Sequence, residues 1–348
     1  MTETLGTQYS TRDMLEVFRA SPSVPTFLTN LLVKRTITHN TKYIELDFEN
    51  PDWGVPAYVT RVDDGELVNK PGFTSKMHLL PYTKQTMVLT PEDLETRAPG
   101  ETVYEGSPQA RRDQLQGQWL AMLNNRIGRL EELQLANAIS NGTAVITGNG
   151  VSYTITYGRD SSNSATLTGA DRWSETTRKI KTNLIAGAEQ MMKPGINGGA
   201  PTDLILGPNA AKNFTDDDNI LAEMDYRRVD VGAIDVRFNK EMMATYIGNY
   251  RAPGFDVDVW SYHAQYIPTG GSATYYIDTN DAVLVNASMP VIKHYSMISN
   301  LRSGNFVGER YPMYWEKQNG SSAVLQVESG PLVATHWPNS TYRIKTNG

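Results

Sequence analysis

One long amphipathic segment constrains the fold of this chain more than any other feature. Ser107 and Pro108 have the form of a helix N-cap followed by proline at the first helical position, and Asn141-Gly142 is a helix stop. The spacing predicts a helix over 108–140, roughly 50 Å long at 1.5 Å per residue. Its apolar stripe comprises Leu115, Trp119, Met122, Leu123, Ile127, Leu130, Leu133 and Ile139.

Sustained heptads with flanking charges are absent, so the pattern favours a spine helix that spans a flat molecule over a coiled coil. The side chains predicted for its opposite, polar face are Arg111, Arg112, Gln118, Asn125, Arg129, Glu132 and Gln134.

The segment before this helix has strand patterns but no dense core. Residues 41–48 alternate apolar and polar side chains, and 57–62 and 86–89 are further strand candidates. A long connection without its own core is unusual in a compact domain. Two interpretations stay open: an exposed loop, or a hairpin that reaches out and packs on a neighbouring molecule.

The segment after the helix mixes both element types. The sequence predicts a β-hairpin over 144–157 with its turn at Gly148-Asn149-Gly150, and then a helix over 171–193. A buried strand at Asp203–Leu206 followed by Gly207-Pro208 and a helix is typical of an α/β unit. Later strands are predicted at 255–259, 274–277, 282–285, 323–327 and around 332–333.

The sequence predicts no catalytic site and no metal-binding site. The chain has no cysteine, which excludes disulfides and zinc–thiolate sites. No Gly-x-Ser-x-Gly elbow occurs, and the three aspartates at 216–218 lack the glycine and terminal glutamate of a calcium loop, so they predict a solvated acidic loop. The five histidines form no metal-binding motif: His39, His78, His263, His294 and His336. We therefore predict no catalytic residue, no cofactor, no metal and no enzymatic activity.

Charge and hydropathy argue against two classes of binding partner, nucleic acid bound tightly and membranes. The 32 basic and 38 acidic residues give a net charge of −6, which argues against tight non-specific binding of nucleic acid by the whole chain. No apolar run approaches the roughly 20 residues of a membrane span, and no signal-peptide h-region begins the chain. We expect synthesis in the cytosol and no membrane partner.

A collinear set of short stretches resembles a known family. The stretches are Glu309-Arg310-Tyr311-Pro312-x-x-Trp315, Val327–Val333, Leu204–Pro208, Ala57–Val59 and Arg111-Arg112. In this order they resemble the lambda-type major capsid proteins of tailed bacteriophages, the major capsid protein E family, over nearly the whole chain. That resemblance implies the α+β HK97 fold.

The resemblance also implies a division of the chain. Residues 1–49 would be the N-arm and first strand, 50–100 the extended E-loop, and 101–172 the peripheral P-domain with the spine helix. Residues 173–300 would be the axial A-domain, and 301–348 a C-terminal β segment that returns to the P-domain and A-domain.

The function that the resemblance implies is structural. Such proteins form hexamers and pentamers of an icosahedral shell, assembled in the bacterial cytoplasm, that encloses double-stranded DNA in the virion. A separate scaffolding protein, a portal and a trimeric decoration protein are the implied partners, and we predict no covalent crosslink. The alternatives are an encapsulin-like compartment shell and an unrelated α/β enzyme.

The residues that we predict at subunit contacts come from the arm, the loop, the helix start and the stretch Glu309–Trp315, which we call the C-terminal motif. They are Phe27, Leu31, Tyr58, Lys70, Phe73, Lys76, Arg111, Arg112, Arg310, Tyr311 and Trp315.

Overall fold

The structure is a computed structural model. It describes residues 14, 26–49, 54–56, 58, 61, 73–96, 108–196, 198–224, 237–239, 243–300 and 304–348. Its helices are α1 (Phe27–Leu32), α2 (Pro91–Glu95), α3 (Pro108–Asn141), α4 (Ile180–Met192), α5 (Pro208–Thr215) and α6 (Asp218–Glu223). Together with the strands below, they form the mixed α+β architecture that the sequence predicts.

The strands as far as the acidic loop are β1 (Val33–Thr38), β2 (Tyr43–Glu49), β3 (Phe73–Leu79), β4 (Thr83–Leu89), β5 (Thr143–Gly148), β6 (Val151–Thr156), β7 (Ser164–Thr166) and β8 (Asp203–Leu206). The middle strands are β9 (Arg237–Asn239), β10 (Ala244–Ala252), β11 (Phe255–Tyr262), β12 (Gln265–Tyr266), β13 (Thr274–Tyr275) and β14 (Asp281–Val285). The last strands are β15 (Val291–Tyr295), β16 (Ile298–Asn300), β17 (Gly304–Phe306), β18 (Tyr311–Glu316), β19 (Ala323–Ser329), β20 (Pro331–Thr335) and β21 (Thr341–Lys345).

The predicted spine helix is confirmed as α3, which extends over 34 residues. It ends where predicted, because Gly142 has a φ of 67°, in the left-handed region that closes helices and favours glycine. The Gly142 N–H donates to the carbonyl of Ala138 at 2.9 Å, which satisfies one of the last carbonyls of the helix.

A seven-stranded sheet in the order β7-β21-β14-β8-β11-β10-β9 contributes to two cores. Strand β8 is buried along its whole length, and its side chains alternate between the sheet faces. Leu204 and Leu206 belong to the core that α4, α5 and Trp173 cover, whereas Ile205 belongs to the core that α1 and the end of α3 cover.

Two three-stranded sheets connect the remaining segments. One has the order β1-β15-β20 and the other β18-β19-β4. The second sheet packs on α3 through Leu325 and Val327, in a cluster that also contains Met14. Met14 therefore packs beside the spine helix.

The loop region is anchored by a two-stranded antiparallel ribbon. Strand β2 pairs with β3 from Tyr43 opposite Leu79 to Glu49 opposite Phe73. The strand predicted over 41–48 is thus present as β2, and the one over 86–89 lies within β4. The strand predicted over 57–62 lies largely outside the described residues.

Three expectations differ from the structure. The helix predicted over 171–193 begins only at Ile180, because the Trp173 N–H donates to the carbonyl of Thr346 and this region adds to the sheet core instead. Asp217 is not part of a solvated loop but caps α6 and pairs with Arg178 at 2.9 Å. Glu132 and Gln134 are buried, since α3 has no exposed residue from Glu131 to Ser140.

Candidate assembly site

Glu132 of the spine helix holds the N-terminus of α1. Its carboxylate accepts the backbone N–H groups of Leu28 and Thr29 at 2.8 and 2.9 Å, and the Tyr262 hydroxyl at 2.8 Å. These amides lie in the first turn of α1, whose N-cap Thr26 makes no side-chain cap bond. A carboxylate there satisfies free donors and complements the helix dipole. Burial and the negative charge of Glu132 raise the pKa of Tyr262, which keeps the hydroxyl a donor.

The neighbouring Glu131 holds a different set of segments. Its carboxylate contacts Lys293 Nζ at 2.6 Å and the Tyr295 hydroxyl at 2.7 Å, both on β15, and Arg310 Nη2 at 3.2 Å. Burial alone would raise the pKa of Glu131, but the charges of Lys293 and Arg310 outweigh it and the pKa is lowered. Glu131 is therefore a buried anion that joins the spine helix to β15 and to the C-terminal motif.

Two arginines fasten the start of the spine helix. Arg111 Nη1 donates to the carbonyl of Leu94 in α2 at 2.8 Å. Arg112 bonds the Tyr314 hydroxyl and the Glu316 carboxylate on β18, and its guanidinium lies 5.3 Å from the centre of the Tyr314 ring. The helix start is thus tied both to the segment that leaves the loop and to the β18-β19-β4 sheet.

Another buried carboxylate lies at the base of the loop. Glu328 on β19 accepts the Tyr82 hydroxyl at 2.5 Å and the Gln326 amide at 2.7 Å, and Lys84 Nζ lies 3.0 Å away. Tyr82 immediately precedes β4, and Lys84 lies within that strand. This contact fixes where the chain leaves the ribbon and enters the three-stranded sheet.

The β2–β3 ribbon has apolar side chains on both faces, and its exposed face also carries Glu45 and Ser75. Ile44 and Leu46 are buried on one face, against the end of α3 and the β5–β6 hairpin. Directly opposite residues of an antiparallel pair share a face, so Tyr43, Leu79 and Met77 lie on the other one. Their exposed fractions are 46%, 43% and 70%. We call these three residues the ribbon face.

The predicted contact residues fall into different surroundings. Phe27 and Tyr311 are buried within the chain, and Leu31 and Trp315 are partly buried. Tyr58 and Lys76 are exposed. Lys70 lies outside the described residues, as does the side chain of Phe73. The three arginines form the intrachain contacts given above: Arg111, Arg112 and Arg310. Their roles between subunits stay predictions.

Sequence reasoning did not identify Glu131, Glu132 and Gln134 as structural anchors. A usable pattern was present, because Leu130, Leu133, Leu135, Ala136, Ala138 and Ile139 place apolar side chains on several sides of this part of the helix. A helix of that kind is buried, so acids within it must be paired. Among the described residues no group of histidine, aspartate and glutamate side chains is arranged to hold a metal ion, and none of the described helices is long and apolar enough to cross a membrane.

Comparisons with known proteins agree over the whole architecture. Residues 10–346 match the family model described as phage major capsid protein E. The chain is 22% identical over 321 residues to the P21 prophage-derived major head protein of Escherichia coli O6:H1, covering 88% of this chain and 90% of that protein. It has the same identity and coverage with the major capsid protein of Enterobacteria phage P21.

Solved structures show the same fold. A prophage capsid protein of E. coli CFT073 superposes with a TM-score of 0.72 at 18% identity, covering 97% of this chain and 99% of that one. The mature capsid of bacteriophage PhiM1 superposes with a TM-score of 0.53 at 12% identity, covering 92% of this chain and 87% of that one. The HK97-type capsid fold that the sequence predicts is confirmed.

Proposed function

The chain belongs to the phage major capsid protein E family, and we propose that it assembles as hexamers and pentamers into the icosahedral head shell of a tailed phage. The shell encloses the double-stranded DNA genome. Assembly takes place in the cytoplasm of the bacterial host, and the product is part of the virion. The family is one of structural proteins, so no turnover is expected.

The observation that carries this proposal is the ribbon face. Tyr43, Met77 and Leu79 present apolar side chains to solvent on a ribbon whose other face is already packed. Contiguous exposed apolar surface is characteristic of protein interfaces. A second copy of the chain is the partner that a shell supplies, and such contact would bury this face. Val55 and Tyr58, almost fully exposed in the loop beyond the ribbon, would add to it.

The proposed division of labour follows from the anchors. The proposed segments are an N-arm with the first strand at 1–49, an E-loop at 50–100, a P-domain at 101–172, an A-domain at 173–300 and a C-terminal β segment at 301–348. Glu132 holds the arm, Arg111 the segment that leaves the loop, and Glu131 the C-terminal motif to one spine helix. These contacts transmit mechanical force between the segments of one subunit, while the E-loop extends over a neighbouring subunit.

The proposed partners are other head proteins and the genome. A separate scaffolding protein guides assembly, a portal occupies one vertex, and a trimeric decoration protein binds the outer surface. Contacts with packaged DNA are weak and non-specific, because a net charge of −6 per subunit opposes tight phosphate binding.

Co-expression with the neighbouring phage genes tests the proposal. We expect closed shells in negative-stain images that sediment as megadalton particles with this chain as the main band. Met77→Asp is expected to reduce shell yield at least about tenfold, since a charge on the ribbon face opposes burial in an interface. Circular dichroism of the variant subunit is expected to match the wild type, because Met77 is exposed. The free energy of unfolding should fall by less than about 1 kcal/mol, since Glu45 lies directly opposite.

The matched control is Val145→Asp on the β5–β6 hairpin, where an exposed apolar residue is likewise replaced by an acid. Its shells are expected to form normally. A uniform small oligomer under all conditions contradicts the proposal. If the shells protect a protein cargo from protease but protect no DNA from nuclease, the chain forms a protein compartment instead of a phage head.

A further inference from the structure

Three histidines from distant segments meet at one corner of the fold. His39 follows β1 at the turn into β2, His294 lies on β15, and His336 follows β20. His39 Nε2 is 2.9 Å from His294 Nδ1, and the two rings stack with centroids 5.2 Å apart. The His336 ring centroid lies 5.6 Å from that of His294.

The contact between His39 and His294 depends on protonation. A hydrogen bond between two ring nitrogens needs one N–H and one lone pair, so at least one ring must be neutral. With both rings protonated, both nitrogens are donors and two positive charges face each other. His294 is only 3% exposed, and its Nε2 has no hydrogen-bond partner among the described residues. A charge on this buried ring is therefore costly.

The surroundings favour the neutral rings. Burial, together with the neighbouring His336 and His39, lowers the pKa of His294 to about 3, and burial lowers the pKa of His39. The residues directly opposite His294 are apolar: Ile37 on β1 and Leu332 on β20.

On the adjacent strand β1, Arg35 shares the face of His294 but is exposed to solvent, whereas the buried ion cluster lies on the opposite face of β15. Lys293 and Tyr295 flank His294 in the strand and point towards Glu131, which also binds Arg310. The histidines therefore face one another on one side of β15, and the ion cluster lies on the other side.

We infer that His39, His294 and His336 form an acid-sensitive latch, which closes the β1–β2 corner onto β15 when the rings are neutral and releases it when they are protonated. The backbone bond from the His39 N–H to the carbonyl of Tyr295 at 2.8 Å closes with the latch. The inference concerns a single chain and goes beyond shell assembly, on which it does not depend.

The direction of the pH effect follows from linkage. In the open state His294 is solvated and has the ordinary pKa near 6.5. A closed-state pKa below the open-state value means that the latch is fully stable above pH 6.5 and loses stability as pH falls below it. At pH 5 the titration of His294 alone is expected to make the equilibrium constant for opening about 30-fold higher than at pH 7.5.

Native-state hydrogen exchange of the full-length chain tests the latch. Exchange of the His39 amide is measured at pH 7.5 and 5.0 and divided by the intrinsic rate at each pH, which gives the opening constant. We expect a rise of at least about 30-fold in the wild type, which is the contribution of His294 alone, and a several-fold smaller rise in His294→Gln, in which only His39 and His336 still titrate. The control is His263→Gln at an exposed histidine bonded to Ser261, which should keep the full rise.

A full rise in His294→Gln, or its loss in His263→Gln, would overturn the inference. A direct titration of the wild-type rings by NMR covers the case in which the variant does not fold. Molecules in which the latch is closed are those whose His39 amide is protected from exchange. In these molecules the titration should find the His294 ring neutral at pH 5.5. A protonated His294 ring in such protected molecules contradicts the latch.

Discussion

Glu131 and Glu132 are adjacent in the spine helix, yet their carboxylates bind different parts of the chain. Successive helical residues point about 100° apart. Glu132 therefore reaches α1 and Tyr262, whereas Glu131 reaches Lys293, Tyr295 and Arg310. One turn of one helix thus fixes the arm, β15 and the C-terminal motif in their relative positions.

Glu132→Ala is expected to lower the free energy of unfolding by about 3 kcal/mol. The substitution leaves the Leu28 and Thr29 amides and the Tyr262 hydroxyl without their acceptor, and each unsatisfied buried donor costs about 1–3 kcal/mol. Glu132→Gln retains one acceptor oxygen and should lose about half as much. Urea unfolding of the subunit measures both changes.

The control for this pair is Gln118→Ala, at an exposed position of the same helix. It should unfold within about 0.5 kcal/mol of the wild type. An equally small change in Glu132→Ala would show that the carboxylate does not hold α1.

Glu131→Gln is expected to destabilise the subunit by about 3 kcal/mol at pH 7, because Lys293 and Arg310 lose their buried counter-charge. The pKa of Glu131 is lowered in the folded chain, so its contribution is fully present above the unfolded pKa of about 4.3. It is lost as pH falls from there through the folded pKa. The difference in stability between wild type and variant should therefore shrink below about pH 4.3.

Unfolding by urea at a series of pH values from 7 to 3.5 measures that difference. Because both proteins retain the histidines, subtracting the two curves removes their titration. A difference that stays constant over the whole range would mean that Glu131 is not held as an anion.

Arg310→Ala separates an intrachain role from a role between subunits. Glu131 keeps Lys293 and Tyr295 in the variant, so we expect a loss of only about 1–2 kcal/mol and an unchanged circular dichroism spectrum. We also predict reduced shell yield on co-expression, measured by sedimentation. If the folded variant forms normal shells, the role of Arg310 is limited to its contact with Glu131 within the chain.

Elements with clear local patterns could be predicted from the sequence. The spine helix, β8 with α5, and the β5–β6 hairpin have caps, turns or periodicities that agree with their final packing. The resemblance to capsid proteins added Arg111, Arg112 and Arg310, all of which make specific contacts.

Elements decided by distant contacts could not be predicted. Trp173 fits a helical stripe with Ile180, but the C-terminal strand holds it outside α4. Strand β3 carries His78, Lys76 and Ser75 among its apolar residues, and it pairs with a segment 30 residues away. The polar side chains of Glu132 and Gln134 suggest a solvated face, although tertiary packing buries them.

The free edge of β20 allows a further test of how side chains of the spine helix anchor a neighbouring strand. Gln134 donates to the carbonyl of Pro331 at 3.0 Å and accepts the Val333 N–H at 3.1 Å, and the Tyr157 hydroxyl donates to the Val333 carbonyl at 2.7 Å. These side chains satisfy backbone groups that no neighbouring strand covers on this edge within the described sheet. Gln134→Ala is expected to cost about 2 kcal/mol and Tyr157→Phe about 1 kcal/mol.

Urea unfolding of both single variants and of the double variant measures these costs, with Gln114→Ala at an exposed position of α3 as the control. Because Gln134 and Tyr157 serve the two backbone groups of the same residue, Val333, the double variant should differ measurably from the sum of the single changes. Strictly additive changes would indicate that the two side chains stabilise β20 independently. A Gln134→Ala variant as stable as the control would show that water replaces the amide at this edge, and that Gln134 does not anchor the strand.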